Sequence, residues 1–198
     1  IIVTGNTTFE AMNFFQCQIE DSNILSRLGL KSKAYILVTA HRSENVDSPE
    51  RLTQIFVALE SLAKRFPDKR IVYPMHPRTQ SKVADIEMAT NIQTMKPLGF
   101  YDFNHLLKES FCVLSDSGTA AEEGLYYAVP NVTLRMATER METIESGATI
   151  VSGLEAEDIV ESVVTAVSQD FKRRYDFFDD YSPSTLVVNA IRTKITNF

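Results

Sequence analysis

Short apolar runs alternate with helical patterns along most of this chain, and that alternation narrows the choice of folds more than any single motif does. Tyr35-Ile36-Leu37-Val38, Arg70-Ile71-Val72-Tyr73, Ile92-Gln93-Thr94-Met95, Phe111 to Leu114, Asn131-Val132-Thr133-Leu134 and Thr149-Ile150-Val151 are all of strand length. Between the first two, Leu52, Ile55, Phe56, Leu59 and Leu62 recur at helical spacing from Pro49 to Arg65, behind Ser48, a favoured N-cap type. Asp102 to Ser110, Thr119 to Tyr127, Ala156 to Ser168 and Ser184 to Ile195 read as further helices. Strands separated by helices cannot pair through tight hairpins, so they pair in parallel through crossovers. The expected fold is therefore α/β, a Rossmann-like doubly wound parallel sheet of about six strands. Residues 1–33 read as a lead-in linker and helix, 34–170 as the sheet domain, and 171–198 as a charged, aromatic tail with the last helix.

In such sheets, ligands sit beyond the carboxyl ends of the strands. The unusual polar residues fall in those loops: Ala40 to Asn45 after the first strand, Met75 to Thr79 after the second, Asp116 to Thr119 after the fourth, and Arg135 to Arg140 after the fifth. One rim thereby collects His41, Arg42, His76, Arg78, Ser117, Arg135 and Arg140, although the net charge is −6. That outlines a local anion site on an acidic protein. Without a basic run the balance speaks against general nucleic-acid binding. No apolar run has the length of a membrane span, and no signal-peptide pattern is present. Cys17 and Cys112 lie far apart with no metal-type spacing, so a reduced, cytoplasmic setting with no metal and no cofactor is expected.

The segment Leu114 to Gly124 carries the most chemistry. A buried strand runs into Ser117-Gly118-Thr119, which opens a helix whose unbonded N–H groups and positive dipole end attract an anion. Glu123 lies a turn or more along that helix. A carboxylate there would repel phosphate on contact but can accept hydrogen bonds from a vicinal diol, such as a ribose next to a bound pyrophosphate. Simpler readings stand beside this one. The turn can be an ordinary strand-to-helix connection with Asp116 or Ser117 as N-cap. His76 can merely shape the turn before Pro77, His105 can be a plain helix residue, Arg42 a solvated loop charge, and Arg135 a partner of Glu139 or Asp116.

Val38-Thr39-Ala40-His41-Arg42-Ser43-Glu44-Asn45, the His76-Pro77 loop, Asp116-Ser117-Gly118 with Glu122-Glu123, and Thr138-Glu139-Arg140 together resemble the non-hydrolysing UDP-N-acetylglucosamine 2-epimerase family. The motifs come in the family's order, and Val3-Thr4-Gly5-Asn6-Thr7 resembles its linker between domains, so the likeness runs from there to near Ile191. His76-Pro77-Arg78-Thr79, Pro97 to Asn104 and the threonine after Ser117-Gly118 look closer to the branch acting on rarer sugars, UDP-N-acetyl-L-fucosamine precursors and diacetamido uronic acids. Met141 departs from the proline that the family has after its Thr-Glu-Arg triplet, and Ser43 stands where relatives are often charged.

The resemblance implies the second half of a GT-B-type enzyme, two Rossmann-like domains facing across a cleft, with the tail helix packing toward the first domain. By similarity, Ser117 and the N–H groups of Gly118 and Thr119 would hold the diphosphate of a UDP-sugar, and Glu123 would take the ribose hydroxyls. Arg140 would neutralise phosphate charge, Phe103 would stack on uracil, and His41 would approach the β-phosphate or the sugar as the catalytic group. Arg42, His76 and Arg135 complete the rim. The implied reaction inverts C2 by UDP elimination and readdition through a 2-acetamidoglycal. The family's proton-transferring carboxylates belong to the first domain, so a chain of this extent is expected to be inactive alone, and its parent is expected to be a homodimer. The donor domain of a GT-B glycosyltransferase, a hydrolysing epimerase and a non-catalytic nucleotide-binding module are the alternatives.

Overall fold

Successive side chains of a strand point to opposite faces of its sheet, and in this protein both faces are apolar. In the first strand Tyr35 and Leu37 turn to one core and Ile36 and Val38 to the other, all fully buried. Such a strand is stable only in the middle of a sheet covered on both sides. The computed structural model, which describes residues 1–83, 88–169 and 182–193, shows that arrangement.

The elements run in the order α1 (Thr7–Phe14), α2 (Gln16–Glu20), α3 (Ile24–Leu28), β1 (Tyr35–Thr39), α4 (Ser43–Val46), α5 (Pro49–Arg65), β2 (Arg70–Pro74), α6 (Pro77–Lys82), β3 (Ile92–Met95), α7 (Phe100–Lys108), β4 (Cys112–Ser115), α8 (Gly118–Tyr126), β5 (Asn131–Thr133), α9 (Met141–Glu145), β6 (Thr149–Val151), α10 (Ala156–Ser168) and α11 (Pro183–Arg192). The sheet order is β3-β2-β1-β4-β5-β6, and every pairing is parallel. This is the expected doubly wound α/β sheet. The chain builds outward from β1 on one side, then returns to lay β4 against β1 on the other. β1 and β4 thus flank the point where the winding reverses, with Ile36 level with Cys112 and Thr39 level with Ser115.

One face of the sheet packs on the apolar sides of α5 and α10, through Leu52, Ile55, Leu59, Leu62, Ile159 and Val163. The other packs on α3 and α7, where Ile24, Leu106 and Leu107 meet Tyr35, Leu37, Val72 and Val113. Ser48 caps α5 by accepting from Arg51 N, and Pro49 fills the first helical position, where its missing N–H costs nothing. A smaller cluster of Phe9, Met12, Leu125 and Ala148 fastens α1 against α8.

The strands fall where the apolar runs place them, to within one residue at either end. The lead-in, expected as a linker and a helix within 1–33, holds the three short helices α1, α2 and α3. The His76-Pro77 segment, read as loop, opens α6: the carbonyl of His76 accepts from Thr79 N and Gln80 N. The helices expected at 102–110 and 119–127 begin earlier, at Phe100 and Gly118. Of the tail, 170–181 and 194–198 lie outside the described residues. Its helix α11 docks on α1 through Glu10, which accepts from Ser182 Oγ, Ser184 Oγ and Ser184 N.

Candidate functional site

Asp116, the first residue after β4, is wholly buried at the reversal point and draws the loop after β1 onto the turn after β4. Its carboxylate accepts from His41 N with both oxygens at 3.1 Å, from Arg42 N at 2.9 Å and from Asn45 Nδ2 at 3.1 Å. In return Arg42 Nε donates to the Asp116 carbonyl at 2.8 Å. The imidazole of His41, half exposed, keeps its Nδ1 3.5 Å from Asp116 Oδ1. Asp116 is therefore not the helix cap. Ser117 is: its Oγ accepts from Ala120 N at 3.4 Å, and its own N–H is taken by Ser115 Oγ at 2.9 Å. The first helical bond of α8 runs from Ala121 N to Ser117 O, so the N–H groups of Gly118 and Thr119 precede it.

The loop after β5 brings two guanidinium groups to the same end of the sheet. Arg140 lies across the start of α8 so closely that a Cβ on Gly118 would stand 3.1 Å from its Nε. The same nitrogen is 3.4 Å from Glu122 Oε1, outside good hydrogen-bond geometry, and it has no hydrogen-bond partner among the described residues. Arg135 donates to Glu139 Oε2 at 2.8 Å, which decides between the two partners its sequence position allows. Positive charge and open helix N–H groups thus converge over the Ser117-Gly118-Thr119 turn, a geometry suited to phosphate.

Glu123 lies in the gap between α8 and α7, against Asn104. It is only 6% exposed. Burial pushes its carboxyl up to about 7, against the pull of a hydrogen bond from Asn104, with Glu122 adding to the rise. Phe103, half-buried on α7 beside Asn104, rests on the apolar cluster under the Pro97 to Gly99 loop. His76 lies exposed at the end of β2, and the described atoms do not include the side chain of Arg78. His105 is a structural residue, its Nδ1 2.7 Å from the carbonyl of Ile19. The structure thus brings His41, Arg42, Ser117, Gly118, Thr119, Arg135 and Arg140 around the β1–β4 switch and sets Glu123 and Phe103 beside them on α8 and α7. The sequence reading gave no role to Asn45 or Asn104, and to Asp116 only those of a helix cap or a partner of Arg135. The one signal they carry is a polar residue where burial is expected. Among the described residues no cluster of side chains is arranged to hold a metal, and no helix is long and apolar enough to cross a membrane.

A parallel 3-2-1-4-5-6 sheet with basic groups over a helix N-terminus at its switch point and a buried carboxylate one turn further defines a Rossmann-type nucleotide-binding unit. The comparisons make that class specific. Residues 1–192 match the UDP-N-acetylglucosamine 2-epimerase family, and the chain belongs to it. It is 29% identical to the UDP-N-acetylglucosamine 2-epimerase of Methanococcus maripaludis over 96% of its length and 54% of that protein's. It is 36% identical to the UDP-2,3-diacetamido-2,3-dideoxy-D-glucuronate 2-epimerase of Pseudomonas aeruginosa over 73% of its length and 40% of that protein's. The crystal structure of the Methanocaldococcus jannaschii UDP-GlcNAc 2-epimerase in complex with UDP-GlcNAc and UDP superposes with a TM-score of 0.85 at 30% identity, covering 96% of this chain and 54% of that one. The chain thus spans about half the length of these relatives.

Proposed function

We propose that this chain is the UDP-holding half of a UDP-N-acetylamino-sugar 2-epimerase of the non-hydrolysing type. The observation that carries the reading is the pairing on one helix of two opposite sites. Arg140 lies over the N-terminus of α8 at Gly118, and the buried acceptor Glu123 sits one turn on. Their chemistry matches a diphosphate followed by a ribose. In this reading Ser117 and the N–H groups of Gly118 and Thr119 bind the diphosphate while Arg140 offsets its charge. Glu123 accepts from the ribose hydroxyls, and Phe103 offers uracil an apolar face. Arg135, Arg42 and His76 complete the rim, and His41, held by Asp116, reaches toward the β-phosphate or the sugar.

The proton on C2 of the sugar is too weakly acidic for simple removal. A carboxylate takes it while the C1–O bond breaks and its electrons leave with UDP, giving a 2-acetamidoglycal. Readdition of UDP with protonation on the other face gives the epimer. What this half contributes is stabilisation of the departing diphosphate by fixed donors and cations. Family membership favours this reading over the donor domain of a glycosyltransferase. The same resemblance supports a homodimer and a cytoplasmic setting for the full-length protein, the latter in keeping with two unpaired cysteines.

Calorimetric titration with UDP, UMP and ADP tests the site. UDP-selective binding that weakens at least about tenfold in Ser117→Ala, Glu123→Ala and Arg140→Ala is expected. Equal affinity for UDP and ADP, or indifference to all three changes in the full-length protein, would remove the reading.

A further inference from the structure

Asn104 is fully buried on α7, facing Glu123 across the gap to α8. Its amide nitrogen carries two hydrogens and meets two acceptors, the carbonyl of Phe100 at 3.1 Å and Glu123 Oε1 at 3.4 Å. The first bond fixes the amide's orientation, because a backbone carbonyl can only accept. Glu123 therefore always meets a donor. A donor favours the ionised carboxylate, whereas burial and the neighbouring charge of Glu122 favour the neutral acid. Tyr127, which caps the end of α8, is held neutral by burial and offers no competing charge. The other atom of the amide, Oδ1, is buried with no partner among the described residues. An unpaired buried acceptor is costly, and an apolar side chain of similar size would fill the space without it.

We propose that Asn104 is a positioning residue for the nucleotide, donating to Glu123 Oε1 so that the carboxylate is held in place and presents Oε2 to the ribose diol. The inference rests on the assignment of Glu123 to the ribose. Only the ionised form can accept from both hydroxyls with its full complement of lone pairs, so the diol contact strengthens as pH rises through the titration of Glu123.

The test is the affinity of the full-length protein for UDP relative to 2′,3′-dideoxy-UDP across the neutral pH range, in wild type, Asn104→Leu and Asn104→Asp. The ratio cancels the ionisation of the phosphates, which both ligands share, and isolates the diol. In wild type the ratio should rise with pH and reach its half-value near 7, where Glu123 titrates. Loss of the donor should move that half-value upward by roughly one pH unit and lower the ratio about tenfold at neutral pH. The isosteric Asn104→Asp keeps the shape and must shift it in the same direction. If both variants instead weaken the two ligands by equal factors at every pH, Asn104 only fills space and the inference falls while the ribose assignment stands. A wild-type protein that never distinguishes UDP from its dideoxy analogue would overturn the ribose assignment itself, and the inference with it.

Discussion

Asp116 shows how a single buried carboxylate can assemble a site it need not touch. Water cannot reach it, so its oxygens are satisfied by the N–H donors of the loop after β1. Asp116→Ala strands those donors in a buried setting, and we expect a loss of about 3 kcal/mol in stability. A downward shift of the urea midpoint would report it; an unchanged midpoint would mean that the loop is held by something else. Glu123 is the opposite case, a carboxyl kept where it is electrostatically unfavourable. Its folded value, about 7, lies above the ordinary 4.5. The native state therefore holds the proton more tightly than the unfolded chain. The resulting stability is fully present below about 4.5 and is lost as pH rises through about 7. Glu123→Gln should accordingly stabilise the ligand-free protein above neutrality, by about 3 kcal/mol at most, and the gain should fade toward pH 5 in thermal melts. A gain that does not change with pH would contradict this. At this scale the sequence was only partly legible. Ser117, Gly118, Glu123 and Arg140 stand out because turn and helix chemistry restrict residue type locally. Asn104 and Asn45 do not, since their partners are 19 and 71 residues away in the chain and only the fold joins them.

The elements were easier to read where they are long. Strands buried on both faces leave continuous apolar runs, and α5 and α10 leave periodic ones, so β1 to β6 and the two long helices lie where the pattern places them. Helices of four to six residues such as α4, α6 and α9 hold too few turns to show a period. Tertiary bonds hold some of them, as Asp116 pins the start of α4 and Lys82 ties the end of α6 to Val46 and Asp47. The start of α8 makes a prediction at this scale. Alanine is the better helix former, so Gly118→Ala by itself should change stability by no more than about 1 kcal/mol. Its Cβ, however, would press on Arg140 at Nε and Cγ. That side chain must give way by a few tenths of an ångström, which displaces its donors from the phosphate, and UDP affinity should fall severalfold with the melting temperature nearly unchanged. Retained affinity would show that Arg140 does not act on the phosphate.

For the molecule as a whole, the question is where the proton on the sugar goes. Three carboxylates at this end of the sheet are already engaged: Glu122 lies against Arg140, Glu139 binds Arg135, and Glu123 is sequestered between α7 and α8 with Asn104. Drawing any of them to C2 would cost either a neutralised arginine or the ribose contact. The chain spans about half the length of these relatives. The proposed function then implies a division of labour, in which this half stabilises the leaving group and residues outside it move the proton. Incubation with a UDP-N-acetylamino sugar in deuterated water resolves the two tasks. We expect the 198-residue chain to bind UDP yet to leave the C2 hydrogen unexchanged by proton NMR, and the full-length protein to incorporate deuterium there as it epimerises. Exchange by the chain alone would place the base within it, and glutamine substitutions at Glu122, Glu139 and Glu142 would identify which of them takes the proton.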